Sequence, residues 1–171
     1  MSNLITELAS PKTDGLALIE VRVNAEPVAG GLECECGDSI DIEIVAVARS
    51  PVRRPNLGYA INLENGELVF SEGTLNHSVV LADLSAGQAC RVVYRVPMDT
   101  APGTYLMSFL ASDNDAAASG DSGVHHDARE RAVRLRVRAN AASSRFDGMG
   151  AIPFRTDFAI ASAGSGERRA T

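Results

Sequence analysis

Hydrophobic and polar residues alternate along two stretches of the N-terminal half, and this alternation predicts β-strands. The segment 17–23 has Ala, Ile, Val and Val at every second position, and the segment 40–44 has three Ile at every second position. A period of two places one set of side chains on each face of a strand. The apolar set, which includes Ile19, is therefore expected to face a core, while the polar set faces solvent.

The same pattern continues along the chain. It predicts further strands over 57–63, 67–71, 76–82, 89–97, 103–112, 131–138 and 150–155. Turn signals separate these strands, and the strongest is Asn65-Gly66, a pair that tolerates the left-handed backbone of a hairpin turn. No segment has a sustained helical period; 127–138 is interpreted as a loop leading into a strand, and 113–127 as a long polar loop.

About nine short strands with antiparallel-style turns predict an all-β fold, an antiparallel β-sandwich of immunoglobulin-like or jelly-roll type. The immunoglobulin signature itself is absent, since the chain has no Trp. The sandwich is expected to span residues 15–158. Residues 1–14 and 159–171 are expected to be disordered tails.

Charge and hydrophobicity restrict the partners and the location. The 171 residues carry a formal net charge of −6, from a net −7 in residues 1–80 and a net +1 in residues 81–171. Nucleic-acid-binding domains are typically basic, so no nucleic-acid partner is expected. No apolar run approaches the roughly 18 to 20 residues of a membrane span, and no signal peptide is recognisable, so the expected location is the cytoplasm.

The cysteines and the loop residues give little support for a metal or a cofactor. Cys34 and Cys36 lie in a turn-like segment, 30–37, and Cys90 lies alone on a predicted strand. A zinc site needs a second ligand pair at a suitable spacing, so ordinary reduced thiols are expected, with no metal and no cofactor.

Two clusters in the polar loop were considered for chemistry. Asp113-Asn114-Asp115 with Asp121 is rich in oxygen ligands, yet it lacks the ordered series of a calcium loop, and solvated acids are the commoner interpretation. His125-His126, followed by Asp127, could serve as an acid/base pair or as ligands. Adjacent side chains of an extended chain point to opposite sides, however, so solvated loop residues are the commoner interpretation. Phosphate-loop, dinucleotide, serine-hydrolase and zinc-protease motifs are all absent, so no catalytic residue is assigned and the chain is not expected to be an enzyme.

Arginine and carboxylate side chains are expected on the outward faces of several strands. If these strands share one sheet, its exposed face is a grid of planar, bidentate groups that suits sugar hydroxyls or an anionic glycan substituent. The alternative is a solvated face with weak cross-strand ion pairs. The candidate carbohydrate-binding residues are Glu43, Arg91, Arg95, Arg134 and Arg136.

An ordered series of motifs gives a more specific indication. The series comprises Pro55, Gly58, Tyr59, Ile61, Asn65-Gly66, Val69-Phe70, Leu84, Gly87, Pro102-Gly103 and Tyr105. In order and spacing it resembles the C-terminal domain of the ATP-binding subunit of bacterial O-antigen polysaccharide ABC exporters, the Wzt type. The chain departs from the family's Val-Phe-Gly-x-Asn-Thr pattern at Ser71 and Gly73, and it contains no ATPase motif.

The resemblance implies a non-catalytic domain that binds the end of a lipid-linked O-antigen polysaccharide and commits it to export. It also implies a homodimer that exchanges a last strand near 149–156, with the ATPase and membrane subunits of an ABC transporter as partners at the inner face of the inner membrane. Tyr59, Tyr105 and Phe109 are interpreted as core residues rather than sugar-stacking platforms. The alternative function is a structural or interaction module that pairs with another chain or with a missing catalytic domain.

Overall fold

Two five-stranded β-sheets form the protein, as seen in a computed structural model. The structure describes residues 14–28, 30–77, 80–113, 125–140 and 157–162. In chain order the strands are β1 (Leu16–Val23), β2 (Glu26–Pro27), β3 (Gly30–Glu35), β4 (Ser39–Ala48), β5 (Pro55–Leu63), β6 (Leu68–Gly73), β7 (Ala89–Pro97), β8 (Gly103–Asp113), β9 (His125–Arg138) and β10 (Asp157–Ser162). A 3₁₀ helix, Thr74–His77, follows β6.

The ten strands divide between the sheets in a simple order. The first sheet, here called sheet A, has the order β10-β7-β4-β1-β2, and the second, sheet B, has the order β3-β9-β8-β5-β6. All neighbouring strands are antiparallel except β3, which runs parallel to β9. The predicted all-β antiparallel sandwich is therefore confirmed, with ten strands in the described residues where about nine were expected.

The core lies between the sheets and follows from the alternation. Ile40, Ile42 and Ile44 of β4 are fully buried, and the polar residues between them face outward. The aromatic residues of sheets A and B meet in the centre: the rings of Tyr59 and Tyr94 lie 5.2 Å apart, edge to face. The Tyr94 hydroxyl donates to the Leu57 carbonyl at 2.5 Å, so this hydrogen bond crosses from one sheet to the other.

The strand β1 departs from the expected alternation. Its pairing with β4 shifts register between Leu18 and Glu20, which is the mark of a β-bulge. An extra residue reverses the phase of the side chains on one side of the bulge. Leu18 is therefore buried and Ile19 is 52% exposed. The expectation that Ile19 faces the core was wrong for this reason.

The hairpin predicted at Asn65-Gly66 is confirmed. Gly66 has a φ of +93°, and its amide donates to the Leu63 carbonyl at 2.9 Å. The Asn65 side chain accepts from the Glu67 amide at 2.9 Å, which fixes the turn further. The pair thus joins β5 to β6 as the sequence indicates.

Three further predictions of local structure were wrong. Residues 125–130, predicted to be loop, belong to strand β9 and pair with β8. No strand forms in the described part of 76–82, because side chains compete with a strand ladder there: Asn76 accepts from the Gly73 amide at 2.9 Å, and Asn56 accepts from the Thr74 hydroxyl at 3.0 Å. The segment 30–37, predicted to be turn-like, contains β3. Its partner is β9, about a hundred residues away, so local sequence gave no sign of the pairing.

The C-terminal part of the fold is only partly described. Strand β10 pairs with β7, so residues 159–162, which were expected in the C-terminal tail, form part of sheet A. The predicted strand 150–155 lies outside the described residues, and so does the strand near 149–156 that the family resemblance implies is exchanged. Where the structure describes the chain, no helix has the length and apolar character that crossing a bilayer requires.

The three cysteines are free thiols in the interior. Burial raises the pKa of both Cys34 and Cys90 to about 11, and it raises the pKa of Cys36 as well. The thiols therefore stay protonated at neutral pH, which makes them poor nucleophiles and poor metal ligands.

Candidate functional site

The structure separates the predicted arginine and carboxylate residues into two groups. Glu43 lies on β4, and Arg91 and Arg95 lie on β7, so all three belong to the outer face of sheet A. Arg134 and Arg136 lie on β9, on the outer face of sheet B. Outer faces of the two sheets point in opposite directions, so the expectation of one shared grid was wrong.

On sheet A the charged groups satisfy one another. Arg91 Nε donates to Glu43 Oε1 at 2.6 Å, and Arg95 forms two hydrogen bonds with Asp41, at 2.8 and 2.9 Å. The hydrogen bond from Arg91 holds the pKa of Glu43 below its usual range, and the one from Arg95 does the same for Asp41. This face corresponds to the alternative interpretation, a solvated surface with cross-strand ion pairs.

The outer face of sheet B contains a groove over β5, β6, β8 and β9, here called the main groove. Its volume is about 470 Å³. Small side chains form much of its surface: Gly58, Ala60, Ser71, Gly73, Ser108 and Ala128. Polar and charged side chains complete the lining: Asn56, Asn62, Asn76, His125, Glu130 and Arg131.

The groove is deep where β5 and β6 carry glycine. Gly58 and Gly73 stand opposite each other in the antiparallel register. A Cβ on Gly58 would lie 2.6 Å from the Glu72 carbonyl oxygen, and one on Gly73 would lie 2.8 Å from Asn56 Oδ1. Real contacts of this kind are longer, so a side chain at Gly58 would displace the backbone of β6, and one at Gly73 would displace the Asn56 side chain. Bare backbone therefore forms this part of the groove.

The aromatic residues near the groove support it from below. Tyr59 and Phe109 contribute to its lining, yet they are 2% and 1% exposed. The interpretation of Tyr59, Tyr105 and Phe109 as core residues is confirmed. A ligand in the groove would therefore meet hydroxyl, amide and charged groups more than aromatic rings.

A buried polar cluster fixes one wall of the groove. The Tyr59 hydroxyl donates to Glu72 Oε2 at 2.9 Å, and His77 Nε2 forms an ion-pair contact with Glu72 Oε1. Burial, and next the Glu72 carboxylate, raises the pKa of Tyr59 well above its usual range. The phenol therefore remains a hydrogen-bond donor, and Glu72 is held by two side chains of its own protein.

A bulge in β9 directs Arg131 toward the groove. Met107 pairs with Val133 and Phe109 with Arg129, so two steps along β8 match four along β9. The Arg131 amide donates to Ser108 Oγ at 3.0 Å, and Arg131 has a φ of +49°, in the left-handed region. Residues with side chains adopt this conformation only where the surrounding structure imposes it, and they are enriched at binding sites.

Arg131 differs from the arginines that follow it on β9. Arg134, Arg136 and Arg138 pair with Glu64, Glu33 and Glu35, respectively. Within the described residues Arg131 forms no ion pair, and its guanidinium extends over the Gly66 turn. Its charge is therefore open to a ligand in the main groove.

Comparison with known protein families identifies the family of this chain. The family model of the Wzt C-terminal domain matches residues 19–152. The chain belongs to the Wzt C-terminal domain family. The resemblance stated from the sequence motifs is thereby confirmed.

A solved structure agrees with this assignment at the level of the fold. The crystal structure of the C-terminal domain of wzt is similar with a TM-score of 0.59 and 15% sequence identity, over 93% of this chain and 86% of that chain. A search of curated protein sequences finds no match. At this identity the structural likeness establishes the sandwich fold alone.

Sequence reasoning missed the main groove of this Wzt C-terminal domain, although one signal was present. Val133, Leu135 and Val137 set an inward phase on the odd positions of β9, and Arg131 occupies the next odd position. A charged residue in an apolar phase indicates a bulge or a local change of face. No comparable sign identifies Gly58 and Gly73, whose pairing across β5 and β6 is tertiary.

The loop residues considered for metal binding take structural roles where they are described. His126 Nε2 lies 2.9 Å from Asp113 Oδ2 and ties the start of β9 to the end of β8, whereas His125 lines the main groove. Asn114, Asp115 and Asp121 lie outside the described residues. In the part of the Wzt C-terminal domain that the structure describes, no three His, Cys, Asp or Glu side chains are grouped to hold a metal ion.

Proposed function

We propose that this domain is a non-catalytic carbohydrate-binding module, and that its main groove binds the end of a lipid-linked O-antigen polysaccharide to commit it to export by an ABC transporter. The observation that carries the proposal is the pairing of a small-residue groove with Arg131, whose charge has no carboxylate partner among the described residues. Membership in the Wzt C-terminal domain family supports the export role.

The groove has the size and chemistry that a sugar requires. A volume of about 470 Å³ lies within the range of small-molecule sites. The glycine and alanine surface allows the C–H face of a sugar ring to approach the backbone closely. Asn62, Ser71, Ser108 and Asn76 supply donors and acceptors for hydroxyl groups. Arg131 supplies a planar fork of donors for a hydroxyl pair or for an acidic substituent.

The same groove gives support for a role without catalysis. Its most buried carboxylate, Glu72, already accepts from Tyr59 and contacts His77. These two partners hold the Glu72 carboxylate in the wall of the groove, which gives it a structural role. Glu130 and His125 are exposed polar groups in the lining.

The proposed site replaces part of the set predicted from sequence. Glu43, Arg91 and Arg95 lie on the opposite face of the sandwich and are not included. We propose that the domain acts as a homodimer beside the ATPase and membrane subunits of its transporter, on the cytoplasmic side of the inner membrane. The strand exchange implied by the family resemblance concerns residues around 149–156, which lie outside the described residues.

Calorimetric titration with oligosaccharides released from the lipopolysaccharide of the bacterium that encodes the chain tests this function. Arg131→Ala is expected to lower the affinity at least about tenfold, because a charged hydrogen bond contributes roughly 1.5–3 kcal/mol. Arg95→Ala, an arginine on the opposite face, is the matched control and is expected to bind like the parent protein. If the parent protein binds no such glycan, the alternative of an interaction module replaces the proposal.

A further inference from the structure

A second depression lies beside the main groove on the same face of sheet B. Its volume is about 460 Å³, and it spans β3, β9 and β8. It is lined by Gly31, Leu32, Glu33, Thr104, Arg134 and Arg136. A third depression, of about 430 Å³, shares Thr104 and Arg136 and continues toward Arg138.

The main groove and the second depression meet along one row of the sheet. The strand register places Asn62 beside Leu106, Leu106 beside Arg134, and Arg134 beside Gly31. Asn62 lines the main groove, whereas Arg134 and Gly31 line the second depression. Neighbouring strands lie about 4.8 Å apart, so the row covers roughly 14 Å, with Leu106 between the two depressions. The two depressions are therefore adjacent parts of one surface.

The surface also extends along β8. Leu110 lines the main groove, Thr104 the second depression and Gly103 the third. At about 3.4 Å per residue, the distance from Leu110 to Gly103 is roughly 24 Å. A single sugar ring occupies much less than this length, whereas a chain of several sugars matches it.

The chemistry of the second depression suits a polyhydroxylated chain. Arg134 contacts Glu64 through Nη2, and Arg136 lies 3.5 Å from Glu33 through Nη1, which leaves other guanidinium donors of each residue directed to solvent. The side chains are 65% and 67% exposed, and exposed ion pairs are weak, so a ligand rearranges them at little cost. Leu106, half-buried between the two depressions, provides an apolar contact for the C–H face of a sugar.

From this continuity we infer that the main groove and the Arg134–Arg136 depression form one track, which binds several consecutive sugar units of the glycan. The end of the chain lies at Arg131, and the preceding units lie over Thr104, Arg134 and Arg136. The inference rests on the proposed function and deepens it: the ligand is an extended oligosaccharide rather than one terminal sugar. It also gives Arg134 and Arg136 a binding role distinct from that of Arg131.

Titration with purified fragments of one, two and four sugar units from the same lipopolysaccharide tests the track. For the parent protein the affinity is expected to rise at least about tenfold from the shortest to the longest fragment. The Arg134→Ala/Arg136→Ala double variant is expected to lose this gain while binding the shortest fragment within about twofold of the parent. Arg91→Ala/Arg95→Ala, a matched pair on sheet A, is expected to keep the gain.

The outcomes of this titration distinguish failure of the track from failure of the proposed glycan-binding function. Binding of the shortest fragment with no gain from added units would overturn the track and leave the proposed function standing. Equal weakening of short and long fragments by the double variant would also overturn it, since the arginines would then act at the chain end. Failure of every fragment to bind would overturn both. If the alanine variant does not fold, as judged by thermal unfolding, Arg134→Gln/Arg136→Gln removes the charge, keeps part of the aliphatic stem and repeats the test.

Discussion

Arg129 Nη2 donates a hydrogen bond to the main-chain carbonyl oxygen of Leu18 at 2.7 Å. The Leu18 amide, in turn, donates to Asp127 Oδ2 at 2.8 Å. Leu18 stands at the bulge of β1, where the ladder with β4 is interrupted, and both side chains come from β9 in the other sheet. Two charged residues of sheet B thus satisfy the backbone of one residue of sheet A.

The substitution Arg129→Met tests the energetic weight of this link. A partly buried carbonyl would lose its partner, and such a group costs about 1–3 kcal/mol when left unsatisfied. We expect the free energy of unfolding, measured by urea denaturation, to fall by this amount. Arg138→Met removes an exposed ion pair from the same strand and is expected to change it by less than about 1 kcal/mol. Equal changes in the free energy of unfolding for the two substitutions would show that the hydrogen bonds between the sheets stabilise the fold no more than an exposed ion pair does.

The left-handed conformation of Arg131 predicts that one substitution lowers glycan affinity without lowering the stability of the fold. Glycine adopts a φ of +49° without the strain of a side chain, so Arg131→Gly is expected to leave the free energy of unfolding unchanged or raise it by up to about 1 kcal/mol. Glycan affinity is expected to fall as in Arg131→Ala. The matched control, Arg134→Gly in the regular part of β9, is expected to destabilise the fold by about 0.5–1 kcal/mol. A loss of stability in Arg131→Gly as large as in the control would contradict the strained geometry.

The ion pairs of sheet A predict a dependence of stability on acid. The folded state lowers the pKa of Glu43 and that of Asp41 below the ordinary values of these carboxyl groups, mainly through hydrogen bonds from Arg91 and Arg95. Lowered values stabilise the fold above these pH values, and the contribution is lost as the pH falls through the folded-state pKa values. At neutral pH, Arg91→Gln/Arg95→Gln is expected to reduce the free energy of unfolding by roughly 0.2–1 kcal/mol per pair.

Urea denaturation at a series of pH values measures this dependence. The difference between the parent and the double variant is expected to shrink steadily as the pH falls below about 4, because protonated carboxyl groups no longer form ion pairs. A difference that stays constant from neutral pH to well below the ordinary pKa values would mean that Arg91 and Arg95 act through packing and not through charge.

Much of the fold could be predicted from the chain because local sequence and global structure agree there. The alternation at Ile40, Ile42 and Ile44 matches a strand with one buried face, and Asn65-Gly66 matches the turn that it forms. Where pairing between distant segments determines whether a strand forms, the local sequence carries less information about the structure. Strand β3 exists because β9 lies beside it, and the phase of β1 changes because of a bulge at Ile19.

The site was harder to predict than the fold, for a related reason. Alternation showed that Arg91 and Arg134 face outward, and both do, but it carries no information about which strands share a sheet. The main groove depends on the opposition of Gly58 and Gly73 and on the left-handed Arg131, which are properties of register and backbone. The family motifs led to the correct domain, since they record turns and core strands, but they contain no groove arginine.

The central claim, that the main groove is the glycan site, is tested most directly by NMR. Isotopically labelled protein is titrated with oligosaccharides from the lipopolysaccharide of the bacterium that encodes the chain, and backbone amide shifts are followed. The account predicts that the largest changes fall on the outer face of sheet B, at Ala60, Ser71, Ser108 and Arg131. Changes confined to Glu43, Arg91 and Arg95 on the outer face of sheet A, or no change at saturating glycan, would contradict it.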